Sequence, residues 1–187
     1  MKMDKSRRML AFVGLIVGGV FIGQASALAQ EELVVNGSFE APQLTHGTWH
    51  TFVSLPGWNL AQGPAIEIQN NVAGSPYAGR QFVELDSSSR SSIFQDISTQ
   101  PERRYRLSLA FSPRPGTPLS DNILEIYWNG QYLDSVARPG DGLSDTQWTV
   151  LSYTVTATRW STRLELRDAG VSNGLGSYVD EVSLRPE

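Results

Sequence analysis

Asn36-Gly-Ser-Phe-Glu40 and Tyr178-Val-Asp-Glu-Val182 lie about 140 residues apart, near the two ends of the mature chain. They read as the first and last strands of a β-sandwich that brings the chain ends together. Each carries a carboxylate, Glu40 and Asp180, to that meeting point.

Between them, strand signals dominate. Tyr105, Leu107, Leu109 and Phe111 alternate with Arg106, Ser108, Ala110 and Ser112, the period of two that gives a strand one buried and one open face. Leu124, Ile126 and Trp128 alternate with Glu125 and Tyr127, and Asn129-Gly130 then reads as a tight hairpin turn into a return strand at Tyr132. Leu151, Tyr153 and Val155 form another such lane, as do Leu164 and Leu166. Shorter runs lie at 66–69, 81–85, 92–97 and 178–184. Turn clusters such as Leu55-Pro-Gly57, Ser112-Pro-Arg-Pro-Gly116 and Ser172-Asn-Gly174 separate them. Past the N-terminal leader no window keeps a 3.6-residue apolar period. The expectation is an all-β sandwich of about 8–10 antiparallel strands.

Residues 1–29 read as a signal peptide. Lys2, Lys5, Arg7 and Arg8 precede the apolar run Met9–Ile22, and Ala27-Leu-Ala29 offers a small-residue cleavage site. The run is short for a membrane span. Ser6-Arg7-Arg8 leaves twin-arginine export open beside the general route. The expected location is secreted or periplasmic, with no membrane attachment after cleavage and with residues 30–187 as one domain. That domain carries eleven arginines, no lysine and eighteen acidic residues, a net charge of −7. Such a surface argues against nucleic acid or an anionic membrane and suits a neutral polysaccharide. The chain has no cysteine, which excludes disulfides, thiolate metal sites and cysteine nucleophiles.

The segments at 36–40, Leu55-Pro-Gly-Trp58, 79–86, 93–116, 122–130, Asp145-Thr-Gln-Trp148 and 176–184 run in order across the mature chain. Together they resemble the secreted family called domain of unknown function 642, which belongs to the galactose-binding-like jelly rolls. The resemblance implies a jelly-roll sandwich in contact with carbohydrate or cell wall. It also places Glu40 and Asp180 where related jelly rolls hold side-chain ligands to a structural Ca2+, with backbone carbonyls completing the oxygen shell. Relatives in plants carry two such domains and cysteines; this chain has one domain and none.

Sugar recognition needs flat aromatic faces for pyranose C–H patches and a few polar groups for hydroxyls. Trp58, Trp128 and Trp148 read as core. Trp49, beside His46 and His50, Tyr77 in Ser75-Pro-Tyr-Ala-Gly79, and Trp160 in a turn are the expected ligand-binding aromatics. Arg114, stiffened between Pro113 and Pro115, is a fourth candidate, either clamping sugar hydroxyls or paired with Asp121 or Glu125. Asp141 and Asp145 read as a turn. Gly170-Val-Ser172-Asn-Gly174 has the letters of a nucleophile elbow, but a strand follows where a helix is required and both histidines precede the serine. The leading expectation is therefore an exported, non-catalytic carbohydrate-binding domain, calcium-stabilised. Its rivals are an envelope or matrix module that contacts proteins and no sugar, and a small glycoside or ester hydrolase using carboxylates such as Glu67, Glu84, Asp86 and Glu125.

Overall fold

The computed structural model describes residues 31–187, so the expected signal peptide lies outside the described residues. Twelve strands follow in order: β1 (Thr48–Phe52), β2 (Ser54–Leu55), β3 (Trp58–Gln62), β4 (Ile66–Asn70), β5 (Phe82–Glu84), β6 (Ser92–Ser98), β7 (Arg104–Ser112), β8 (Ile123–Trp128), β9 (Gln131–Ala137), β10 (Thr149–Thr156), β11 (Ser161–Asp168) and β12 (Tyr178–Pro186). Between β7 and β8, Leu119–Asp121 makes one 3₁₀ turn. Two six-stranded antiparallel sheets result. The first has the order β1-β4-β5-β12-β7-β10 and the second β2-β3-β6-β11-β8-β9. The all-β jelly-roll reading holds. The strands beyond the expected eight to ten are β1, β2 and β3, whose polar or irregular sequences carry no clean alternation.

The two inner faces meet in a continuous core. Ile66, Ile68, Val83, Leu107, Leu109, Phe111 and Val179 from the first sheet face Ile93, Ile97, Leu124, Ile126, Leu164 and Leu166 from the second. These are the inward lanes that the period of two marks out. Trp58 and Trp128 join this core as expected, and their indole N–H groups donate to the carbonyls of Asn36 and Thr156.

The chain ends do lie side by side. Leu33 N–H donates to Leu184 O at 3.0 Å, and Val182 N–H donates to Gly37 O at 2.9 Å. The approach is close enough that any Cβ on Gly37 would collide with the Val182 carbonyl. Residues 36–40, however, form a turn and not the expected first strand. Asn36 and Phe39 take positive φ, 54° and 55°. The turn drives the Phe39 ring, fully buried, against Trp58 at 5.4 Å between centroids. Opposite it, β12 breaks register between Asp180 and Ser183, with Glu181 at φ 47°. Asp180, alternating with the core residue Val179, turns its carboxylate away from the sandwich core, and the bulge after it brings Glu181 N–H onto that carboxylate.

Candidate functional site

The outer face of the first sheet is built from the residues that alternate with the core lanes. Cross-strand register puts Trp49 opposite Gln69, Gln69 opposite Phe82, Glu67 opposite Glu84, and Glu84 opposite Tyr178. Farther along lie Ala110 opposite Val150 and Ser108 opposite Ser183 and Ser152. This face falls into a covered part and an open part.

The segment 71–81 covers β4, β5 and the start of β12. Asp180 accepts the N–H groups of Tyr77 and Ala78 at 3.0 and 3.1 Å. Glu40 Oε1 accepts those of Arg80 and Gln81 at 2.6 and 2.9 Å. Gly79, at φ 64°, passes so close to Glu40 Oε1 that no side chain fits there. The other flank is tied by Asp145, which accepts the N–H and hydroxyl of Ser75, and by Trp148 Nε1–H, which donates to Ser75 O. Tyr178 OH donates to Ala73 O from below.

A buried polar cluster lies under that cover. Gln69 Nε2 donates to Glu67 at 3.0 Å and also to Glu84. Glu84 further accepts Gly176 N–H at 2.9 Å and Arg114 Nη1–H at 2.6 Å. The Glu84 side chain is fully buried and that of Arg114 is 19% exposed. Burial pushes the Glu84 carboxyl up to about 8 even against Arg114, with the Glu67 charge adding to the rise. Burial raises Glu67 as well. One guanidinium, bonded to Glu84 alone, offsets the charge of two buried carboxylates. Arg114 thus pairs with Glu84, not with Asp121 or Glu125, because the Pro-Arg-Pro turn carries it onto the outer face of the sheet.

The open part begins at Tyr77. Its ring, 46% exposed, meets Trp148 edge-on at 6.1 Å, and Trp148 in turn meets Phe82 at 5.8 Å. The phenol therefore forms a fixed wall of an open recess of about 320 Å³. Ala110 and Val150 contribute apolar floor and wall, while Arg106, Arg185, Ser108, Ser183 and Glu181 supply polar groups around them. Arg106 and Arg185 are held at the rim by exposed ion pairs to Glu187 and Glu32, both at 3.1 Å, and pairs of this kind contribute little stability. An aromatic wall, a shallow apolar floor and a ring of donors and acceptors can seat a pyranose ring on its C–H face and engage its hydroxyls.

The expected binding residues do not form one site. Tyr77 lines this recess. Trp49 is 55% exposed on the edge strand β1, beyond the covered cluster. Trp160, 74% exposed, sits in the turn before β11 beside a separate recess with Tyr105 and Arg103. Arg114 is committed to Glu84. Trp148, read as core, instead supports Tyr77. It falls in phase with the exposed Val150 and out of phase with Leu151 and Tyr153, a signal present in the sequence. Arg106, Arg185 and Glu181 carried no signal before the sheet order was known.

Glu40 and Asp180, the expected calcium ligands, act on one and the same segment. Asp180 also accepts Glu181 N–H at 2.8 Å, and burial still pushes it up to about 7. Among the described residues no hydrogen bond reaches Glu40 Oε2, and no group of three or more acidic, histidine or cysteine residues is arranged to hold a metal ion. The two carboxylates and nearby carbonyls have the hard-oxygen chemistry that Ca2+ takes, but three of the four carboxylate oxygens already accept N–H groups. Ser172, from the elbow-like letters, lies in a loop and accepts Arg90 N–H, with no helix behind it.

No protein-family model matches the chain. Two curated proteins resemble it in sequence. Both are multifunctional-autoprocessing repeats-in-toxin proteins, from Vibrio cholerae at 27% identity over 84% of this chain and from Vibrio vulnificus at 27% over 88%. The chain spans about 3% of the length of each. Among solved structures, a family 16 carbohydrate-binding module overlays 81% of this chain and 98% of its own at TM-score 0.54 and 18% identity. A family 61 module in complex with β-1,4-galactotriose overlays 84% and 99% at TM-score 0.51 and 15% identity. A GH51 α-L-arabinofuranosidase matches over 83% of this chain and 26% of its own at TM-score 0.52 and 20% identity. The chain therefore has the jelly-roll fold of carbohydrate-binding modules.

Proposed function

We propose that this protein is an exported, non-catalytic domain that binds polysaccharide at or outside the cell surface. The observation that carries this reading is the recess beside Tyr77: a braced aromatic wall over an apolar floor, ringed by polar side chains, on a sheet face whose other half is sealed. Two binding modules that share the fold over nearly their whole length support it. The shallow site sets the affinity for a short glycan on the order of millimolar to tens of micromolar. A structural Ca2+ held by Glu40 and Asp180 would neutralise a buried acidic corner and reinforce the tie on segment 71–81. The convergence of both carboxylates on that one segment supports it.

The test is a glycan array followed by titration calorimetry, with wild type and Tyr77→Ala, in calcium and in chelator. The panel begins with β-1,4-galactan oligosaccharides and arabinose-containing polymers, the sugars in the complexes of similar fold. Binding that Tyr77→Ala weakens at least tenfold supports the reading, and no binding to any polysaccharide ends it. A second reading, an envelope or matrix module that contacts proteins, draws on Trp49 and Trp160, which are exposed outside the recess. Under that reading Tyr77→Ala is silent and Trp160→Ala abolishes envelope association.

A further inference from the structure

Where β7 begins and β11 begins, two short loops are stitched together. Thr99 N–H donates to Trp160 O at 2.9 Å and Thr99 Oγ1–H to Arg159 O at 2.7 Å. Ala157 N–H donates to Arg103 O at 3.0 Å, and Glu102 N–H to Ala157 O at 2.8 Å. Four bonds between the loops fix the turn that carries Trp160. Its ring is nevertheless 74% exposed. Trp58, Trp128 and Trp148 each donate an indole N–H to a carbonyl; among the described residues that of Trp160 has no acceptor. So exposed an indole adds little to stability, yet the turn presents it in a fixed place.

Beside Trp160 is a recess of about 430 Å³, within the roughly 300–1,000 Å³ of small-molecule sites. Leu33 and Pro186 give it apolar surface, and Gln100, Arg103 and Glu31 give it a polar rim. Arg103 lies over the Tyr105 ring at 5.9 Å and donates from Nη1 to Gln100 Oε1 at 3.2 Å. Both side chains are thereby oriented. Among the described residues the Gln100 amide NH2 and the other Arg103 N–H groups make no further hydrogen bond, and Arg103 makes no ion pair. An aromatic face, apolar surface and uncommitted donors repeat the chemistry of the Tyr77 recess.

The two recesses also follow one another along the same ladder. Arg106 and Arg185, a register pair of β7 and β12, line the first; Tyr105 and Pro186, the next pair, line the second. A rise of about 3.4 Å per residue sets Ala110, in the first, roughly 17 Å along β7 from Tyr105, in the second. An extended glycan covers such a span with a few sugar units.

We propose that the Trp160 recess is a second sugar site and that one polysaccharide chain occupies it together with the Tyr77 recess. This rests on the polysaccharide-binding reading given above. Trp160 stacks on one sugar ring while Arg103 and Gln100 engage its hydroxyls. Linkage through the polymer makes the second contact intramolecular, so avidity for long chains exceeds the affinity of either site alone.

The experiment is affinity electrophoresis of wild type, Tyr77→Ala, Trp160→Ala and Arg103→Ala in gels containing β-1,4-galactan, arabinan, arabinoxylan or mannan. It is paired with NMR titration of the trisaccharide of each polymer that retards the wild type. Each variant loses on the order of a hundredfold in affinity for polymer. The trisaccharide, too short to span, still shifts the Trp160 indole N–H resonance in Tyr77→Ala. If Trp160→Ala is retarded as wild type is while Tyr77→Ala is not, the second site falls and the first stands. A Trp160 resonance that no trisaccharide moves also overturns it. If no polymer retards the wild type, the polysaccharide reading fails and this inference with it. Since the Trp160 side chain lies largely outside the fold, Trp160→Ala melts as wild type does, which keeps a loss of binding apart from a loss of structure.

Discussion

Two acidic corners of this sandwich use the same residue type in opposite ways. At the chain ends, Asp180 and Glu40 are surrounded by backbone N–H donors that the 71–81 segment and the β12 bulge supply. At the end of β11, Asp168 is as deeply buried, and the N–H groups of Gly170 and Ser177 approach it without making a well-formed hydrogen bond to either oxygen. Burial raises both aspartates, to about 7 in each case; at Asp168 the charge of Asp86 adds to it. The difference lies in the local backbone. A bulge and a left-handed turn present N–H groups to a carboxylate, whereas a regular strand spends its N–H groups on the ladder. How well a buried carboxylate is satisfied thus depends on the conformation of the chain opposite it.

The comparison breaks most sharply at Asp180. Asp180→Ala should cost about 3 kcal/mol in urea unfolding, because three N–H groups lose their acceptor in a site closed to water. It should also release segment 71–81 to fast hydrogen exchange. An unchanged midpoint would show that the segment holds itself. Glu40→Gln should cost about 1 kcal/mol, since an amide oxygen still accepts from Arg80 and Gln81 but without the charge. Asp168→Asn should have the opposite sign, melting no lower than wild type, because it deletes a buried charge that is poorly satisfied. If it melts several degrees lower, the two corners are alike after all.

The third acidic pair sharpens the point. Glu67, opposite Glu84 and within the field of Arg114, has its carboxyl raised by burial. A raised carboxyl binds more protons folded than unfolded, so its destabilising effect grows as pH climbs through its unfolded value of 4.5. Glu67→Gln should match wild type near pH 4 and exceed it at pH 7, as read from denaturant midpoints at each pH. Equal stability at both would show that the Glu67 carboxyl is not raised in the fold. The smallest effect belongs to the open half of the face: Tyr77→Ala should change stability by less than about 1 kcal/mol, since the ring is half exposed.

Much of the fold was legible. The lanes at 105–111, 124–128 and 164–166 named the core because a strand exposes alternate residues to opposite faces. The adjacency of 36–40 and 176–184 was likewise readable. That 36–40 would be a turn was not, since Phe39 and Asn36 adopt φ values that only the packing against Trp58 and β12 makes worthwhile. The candidate site was legible in one residue, Tyr77, whose loop setting marked it as exposed. Its support on Trp148 was available in the phase of β10 and passed over in favour of size and hydrophobicity. The pairing of Arg114 with Glu84 joins positions 30 residues apart and needed the sheet order.

The amino-acid sequence by itself determined that the chain would form strands, which side chains would turn inward, and that residues 30–187 would surround them with an acidic surface without lysine. These follow from local periodicity and composition, which act without reference to distant residues. The tertiary structure alone decided which carboxylates meet donors and which meet one another, and which half of an outer sheet face stays open. Those outcomes depend on strand order, on one bulge and on where segment 71–81 comes to rest, all set by contacts between residues far apart in the chain.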